Sequence, residues 1–491
     1  MAGGKSHELT VGIFDMKTSK TIFLKTGEPK EQYLTNVAWS PDEKHVYIAV
    51  LNRAQNHLWF NCYNAATGDF EKTLFEETDE KYVHPMHTMQ FVPKHDDLFI
   101  WQGERDGFNN IYLYNTKGEL VRQLTNHVAP NVRMAYSIEV SDVLGFDESG
   151  ETLFYTGINS KNVLGREIRY CMLNGETDDA ISSGEGTHSA LLSPNGKYLL
   201  DTYSSVTVPK TIDVITSSGK KLQSLLVAKN PLADYKLGKM RLFIVTAADG
   251  STPLWCRMIL PVDFDSTKKY PAIVYLYNGP NVQLITNSWN AGGDLWYQYM
   301  AEHGYIIFTI DGRGSANRGK LFEQATFRNL GTEEMNDQLK GVDYLKSKTY
   351  VDASRLGVFG WSYGGFMTTS LMTRHAGIFK TAVAGGPVID WSYYEVMYTE
   401  RYMDTPKENP DGYKNSSLLN YAGNLKGKLL LIHGTSDPVV VWQHSLMFLK
   451  KCVEKNTLPD YLVYPGHEHN VLGKDRVHLF EKITEYFSAN L

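Results

Sequence analysis

Two hydrophobic periods divide the chain near residue 235. Before it, apolar residues come in short alternating runs broken by turn residues, the pattern of half-buried strands rather than amphipathic helices. One unit recurs: an apolar residue, a Ser-Pro-Asp-like turn, then a β run. It reads Trp39-Ser-Pro-Asp-Glu-Lys-His-Val-Tyr-Ile, then Phe91-Val-Pro-Lys-His-Asp-Asp-Leu-Phe-Ile. It returns as Phe146-Asp-Glu-Ser-Gly-Glu-Thr-Leu-Phe-Tyr and Leu192-Ser-Pro-Asn-Gly-Lys-Tyr-Leu-Leu-Asp. The starts are 52, 55 and 46 residues apart. Near-constant steps of that size, each holding several strands, predict β-propeller blades. Asn110-Ile-Tyr-Leu-Tyr-Asn and Leu120-Val-Arg-Gln-Leu-Thr supply later strands of a blade. The opening run from Leu9 to Leu24 reads as the last two strands of a blade lacking its first half. An unpartnered half-blade leaves open edges, so the chain is expected to start inside a propeller, N-terminally truncated.

From residue 236 the pattern becomes strands alternating with helices. Trp255-Cys-Arg-Met-Ile-Leu, Ala272-Ile-Val-Tyr-Leu-Tyr, Tyr305-Ile-Ile-Phe-Thr-Ile and Lys428-Leu-Leu-Leu-Ile-His are continuous apolar runs, which suit a sheet buried on both faces. Amphipathic helices are expected over 335–348, 441–455 and 474–489. The predicted architecture is a partial β-propeller over 1–235 and a doubly wound, mostly parallel α/β-hydrolase domain over 236–491.

Composition narrows the function. The net charge is -6 and no basic block is present, which excludes nucleic acid and anionic membrane as main partners. No run approaches the ~18 apolar residues of a membrane span. Met1-Ala-Gly-Gly-Lys-Ser-His-Glu lacks the regions of a signal peptide. The four cysteines are far apart with no CxxC pair, so no zinc pattern or disulfide framework is read and no metal or cofactor is expected.

Gly360-Trp-Ser-Tyr-Gly364 matches G-x-S-x-G at a predicted strand-to-helix turn, which lifts Ser362 above the sheet as a nucleophile. Serine needs a base oriented by a carboxylate, and in this fold they follow in the order Ser, Asp, His. Asp437 follows the strand ending at His433, and Asp404 and Asp411 compete with it without following a sheet strand. His469 follows the strand Tyr461–Tyr464, and periodicity alone does not separate it from His467. The Tyr363 N–H is one oxyanion donor. Tyr277, at a strand end, reads equally as a second donor or a packing residue. The Trp/Tyr cluster around residue 391 reads as ordinary core, and Glu395 as a solvated charge.

The runs Tyr277-Asn-Gly-Pro, Asp311-Gly-Arg-Gly-Ser, Gly360-Trp-Ser-Tyr-Gly-Gly, Tyr398-Thr-Glu-Arg-Tyr and His433-Gly-Thr-Ser-Asp together resemble the dipeptidyl peptidase IV branch of the prolyl oligopeptidase family. Within it, Asp437-Pro-Val-Val-Val-Trp-Gln-His-Ser and Tyr464-Pro-Gly-His-Glu-His-Asn-Val are most similar to the bacterial prolyl tripeptidyl aminopeptidases. The resemblance implies His469 as the base, Tyr277 as the side-chain oxyanion donor, and a proline pocket from Tyr363, Val388, Trp391, Tyr394, Tyr398 and Val440. It implies that Glu395 helps hold the substrate's free α-amine. Val439 stands where dipeptidyl enzymes place an Asn, which favours the tripeptidyl reading. Substrates are then peptides with a free N-terminus and a proline, homodimers are a common assembly, and the setting is a bacterial periplasm or cell surface. The family's upstream acidic amine anchor has no counterpart here. The expected activity is release of Xaa-Xaa-Pro tripeptides. The alternatives are a dipeptidyl peptidase, an acylaminoacyl peptidase or esterase, and an inactive truncated peptide-binding protein.

Overall fold

The recurrent turn closes on its own side chains, and that closure starts each blade. In the computed structural model, which describes residues 1–126, 139–158, 162–182 and 186–491, the Ser40 hydroxyl donates to Asp42 (2.7 Å) and accepts from the His45 N–H (2.9 Å). Asp147 accepts from the Ser149 hydroxyl and the Gly150 N–H in the same way, and Ser193 donates to Asn195. Side-chain turns of this kind set where two strands begin to pair.

Each turn joins the first two strands of a four-stranded antiparallel unit. The first holds Gln32–Trp39, His45–Asn52, His57–Asn64 and Phe70–Thr78; the second holds Gln90–Val92, His95–Gly103, Asn110–Asn115 and Leu120–Gln123. The third runs through Val140–Phe146, Thr152–Ile158, Arg166–Met172 and Asp178–Ala180; the fourth through Thr187–Leu192, Tyr198–Ser204, Thr211–Thr216 and Lys221–Val227. One parallel pairing, Arg166 opposite Thr187, joins the last two units into a single sheet. Gly12–Asp15 and Lys20–Phe23 form a separate two-stranded ladder. Neighbouring units bury facing apolar side chains, such as Tyr47, Phe60, Phe99 and Trp101 between the first two. This is a run of propeller blades.

The second half is one eight-stranded sheet in the spatial order Met240–Thr246, Pro253–Ile259, Ile306–Ile310, Tyr270–Tyr275, Val351–Trp361, Thr381–Gly385, Lys428–Gly434 and Asp460–Tyr464. The first two strands and the Pro253–Ile259/Ile306–Ile310 pair are antiparallel, and every later pairing is parallel. Ile306–Ile310 is wholly buried, as its uninterrupted apolar run requires. The edge strand Met240–Thr246, not read from the sequence, is half-exposed and alternates. Helices Glu333–Lys346, Tyr363–Arg374, Gln443–Glu454 and Asp475–Asn490 flank the sheet. The architecture is a propeller portion followed by an α/β hydrolase.

The loop joining strands His45–Asn52 and His57–Asn64 grips helix Val396–Met403 of the second half. The Arg53 guanidinium donates from Nε and Nη2 to both Glu400 oxygens (2.8 Å each) and from Nη1 to Glu31 (2.8 Å). The Gln55 side chain donates to the Met397 carbonyl (2.5 Å) and accepts from Arg401 (2.7 Å). Only 2% of the Glu400 side chain is exposed, so its charge depends on this forked partner. Replacing Arg53 by Met is expected to destabilise the chain by about 3–5 kcal/mol, because it strands a buried carboxylate. In urea unfolding, Arg53→Met combined with Glu400→Gln should recover much of that loss.

Candidate active site

Ser362 stands where the strand Val351–Trp361 ends and helix Tyr363–Arg374 begins. Its backbone sits at φ 61° and ψ -117°, a conformation that costs a non-glycine residue about 1–3 kcal/mol. The Ser362 N–H donates to the Gly385 carbonyl (2.8 Å), and the Phe366 N–H donates to the Ser362 carbonyl (3.0 Å), which hold the turn in place. The flanking glycines are needed for closeness. A Cβ on Gly364 would lie 2.4 Å from the Leu276 carbonyl oxygen, and one on Gly360 would lie 2.4 Å from that of Gly364.

His469 Nδ1 lies 2.7 Å from Asp437 Oδ2. The other Asp437 oxygen accepts the Val439 and Val440 N–H groups, both at 2.9 Å. Burial alone would raise the Asp437 pKa, but hydrogen bonds from His433 and His469 outweigh it and hold the carboxyl well below its usual range. An ionised Asp437 on Nδ1 leaves Nε2 of His469 free to exchange a proton. Ser362 and His469 line one cavity of about 360 Å³, together with Tyr277, Phe359, Trp361 and Asn470.

The competing candidates have other partners. His467 Nε2 is 2.7 Å from Asp475, Asp404 pairs with Arg328 (3.3 Å), and Asp411 lies in helix Pro410–Ser416. Tyr277 lines the same cavity as Ser362, and burial raises its pKa, so its hydroxyl stays protonated. Tyr363 is the first residue of its helix, where a backbone N–H has no intrahelical acceptor.

Beside the turn, the Trp391 indole is 5.4 Å from the Tyr363 ring, 5.6 Å from Tyr394 and stacked on Tyr398 at 6.1 Å. Val388 and Val440 are buried in the same apolar cluster. Of the six residues predicted for a proline pocket, the four aromatics Tyr363, Trp391, Tyr394 and Tyr398 are brought together. Glu395 caps helix Val396–Met403, accepting from the Met397 N–H (2.8 Å) and the Tyr398 N–H (2.6 Å).

Two residues were not singled out from the sequence. His433, inside a strand run, reads as core; it is fully buried, 3.4 Å from Asp437 Oδ2, and fixed by the Val440 carbonyl (2.8 Å) and the Ser445 hydroxyl (2.7 Å). Glu334, wholly buried, accepts the Tyr363 hydroxyl at 2.5 Å and the Gly331 N–H at 2.6 Å. Burial pushes its carboxyl up to about 7.

Residues 294–491 match the model of the prolyl oligopeptidase family, and residues 1–210 match that of the dipeptidyl peptidase IV N-terminal region. A Bacteroides ovatus crystal structure assigned as a dipeptidyl aminopeptidase IV is 45% identical with a TM-score of 0.95, over 100% of this chain and 71% of that one. Dipeptidyl peptidase 4 of Porphyromonas gingivalis is 30% identical with a TM-score of 0.92, over 100% and 68%. Human dipeptidyl peptidase 8 is 26% identical over 94% of this chain and 57% of its own length. The chain spans about half the length of the curated relatives it matches. These relatives carry dipeptidyl names, so the expected tripeptide release finds no support among them, and the dipeptidyl alternative fits better. With propeller blades, an α/β-hydrolase sheet and these matches over both halves, the chain belongs to the dipeptidyl peptidase IV branch of the prolyl oligopeptidase family.

Proposed function

We propose that this chain is a serine aminopeptidase that cleaves after a proline in second position, releasing Xaa-Pro dipeptides through an acyl-enzyme. The observation that carries the reading is the strained Ser362 turn, which lines one cavity with His469, itself paired with Asp437. Ser362 Oγ attacks the carbonyl after proline while His469 Nε2 takes its proton. His469 then returns that proton to the leaving amine, and water repeats the sequence to release the dipeptide. Asp437 holds the imidazole in the tautomer this requires. The Tyr363 N–H and the Tyr277 hydroxyl stabilise the oxyanion as charge develops.

The pocket of Tyr363, Trp391, Tyr394, Tyr398, Val388 and Val440 suits a pyrrolidine ring, which is flat, apolar and brings no N–H to satisfy. Dipeptide length rests on the names of the relatives.

Hydrolysis of Gly-Pro and Ala-Ala-Pro amides with free N-termini, beside N-blocked Gly-Pro, tests this reading. The free Gly-Pro amide should have the highest kcat/KM, and faster Ala-Ala-Pro cleavage would overturn dipeptide length. Tyr277→Phe should lower kcat by about 10²–10³-fold with little change in KM, as loss of one oxyanion donor does.

Glu334 anchors the Tyr363 ring from behind the pocket. A carboxyl whose folded pKa is raised to about 7 binds its proton more tightly folded than unfolded. Its contribution to stability is full below the unfolded value, near 4.5, and is lost as pH rises through about 7. Glu334→Gln should therefore flatten the fall in Tm between about pH 5 and 7.5, read by thermal unfolding. An unchanged slope would remove Glu334 as its source.

A further inference from the structure

His45, Cys62 and Glu71 come from three neighbouring strands of the first blade, His45–Asn52, His57–Asn64 and Phe70–Thr78. We propose that they bind a divalent transition-metal ion of the zinc type, with solvent completing a tetrahedron. His45 Nε2 is 3.3 Å from Glu71 Oε2, Cys62 Sγ is 3.9 Å from the same oxygen, and all three donor atoms lie within 4.8 Å of one another. Ligand atoms around a tetrahedral zinc with bonds of ~2.0–2.3 Å stand roughly 3.3–3.6 Å apart. The two contacts therefore match such a tetrahedron to within about half an ångström.

The register explains how Glu71 reaches this point. Cys62 pairs with Lys72 and Tyr63 with Phe70, so Glu71 is the extra residue of a β-bulge. A bulge re-aims a side chain, and this one brings Glu71 against Cys62. Asn64 donates to the other Glu71 oxygen (3.1 Å), which leaves Oε2 for an ion. Asp42 lies 3.9 Å from His45 Nδ1, on the side from which carboxylates orient metal-binding imidazoles. His45 and Glu71 are about one-third exposed, so an ion can enter from solvent, while Cys62 forms the floor. A sulfur, nitrogen and oxygen donor set selects zinc-like ions over calcium or magnesium.

Binding exchanges the Cys62 thiol proton for the ion: the S–H bond breaks, a sulfur–metal bond forms, and one proton goes to solvent. Burial pushes that thiol up to about 11; the groups facing it are Tyr47, Glu71 and Lys72.

The test is a titration of chelator-stripped protein with Zn²⁺ against a chromogenic chelator, with Co²⁺ as a spectroscopic probe. The expected results are one equivalent bound, a thiolate-to-cobalt charge-transfer band, and no competition from Mg²⁺ or Ca²⁺. Cys62→Ser should abolish the band, and His45→Gln, at a half-buried position less able to disturb folding, should weaken binding at least tenfold. Absence of the band in the wild-type protein, or affinity unchanged in His45→Gln, would overturn the site. Neither outcome bears on the hydrolase reading, which uses none of these residues.

Discussion

The site depends on the backbone constraint at Ser362. The strand Val351–Trp361 has to end, and the helix Tyr363–Arg374 has to begin, within one residue held at φ 61°. That residue is kept there by the Gly385 carbonyl on one side and the Phe366 N–H on the other. The same turn starts the helix at Tyr363, where a backbone N–H has no intrahelical acceptor. It also aims the Tyr363 ring at Trp391, so the Ser362 turn, the Tyr363 N–H and the aromatic cluster share one local geometry. The Glu334 carboxylate accepts the Tyr363 hydroxyl, and the sheet order brings Asp437 and His469 together from neighbouring strand ends, His469 sharing a cavity with Ser362.

The two halves of the chain are coupled beside the aromatic cluster around Trp391. Helix Val396–Met403 carries Tyr398, is capped by Glu395, and is tied to the first blade through Glu400 and the Met397 carbonyl. A shift of the blade loop that bears Arg53 and Gln55 would therefore move an aromatic wall, not only a surface contact.

Much of this was legible in the sequence, for local reasons. The blade turns could be read because Ser, Asp and Asn at those positions bond their own backbone. The sheet strands could be read because burial on both faces demands unbroken apolar runs. Other features lay beyond any local pattern. His467 and His469 share one loop, and only their partners, Asp475 for the first and Asp437 for the second, separate them. Glu395 is an unusual capping residue, so its local use was hidden behind its charge. Arg53 and Glu400 are 347 residues apart, and no periodicity announces such a pair. His433 sits in a strand whose neighbours are all apolar or small, where an imidazole looks like core until Asp437 is seen beside it.

The central claim is that Ser362 is an activated nucleophile. Its most direct measurement is mass-spectrometric mapping of a fluorophosphonate label on the intact chain, followed over pH. The account predicts one adduct, on the peptide that carries Ser362, forming on the folded protein and abolished when His469 is replaced by Ala. No adduct on folded protein, or one that persists without His469, would contradict it.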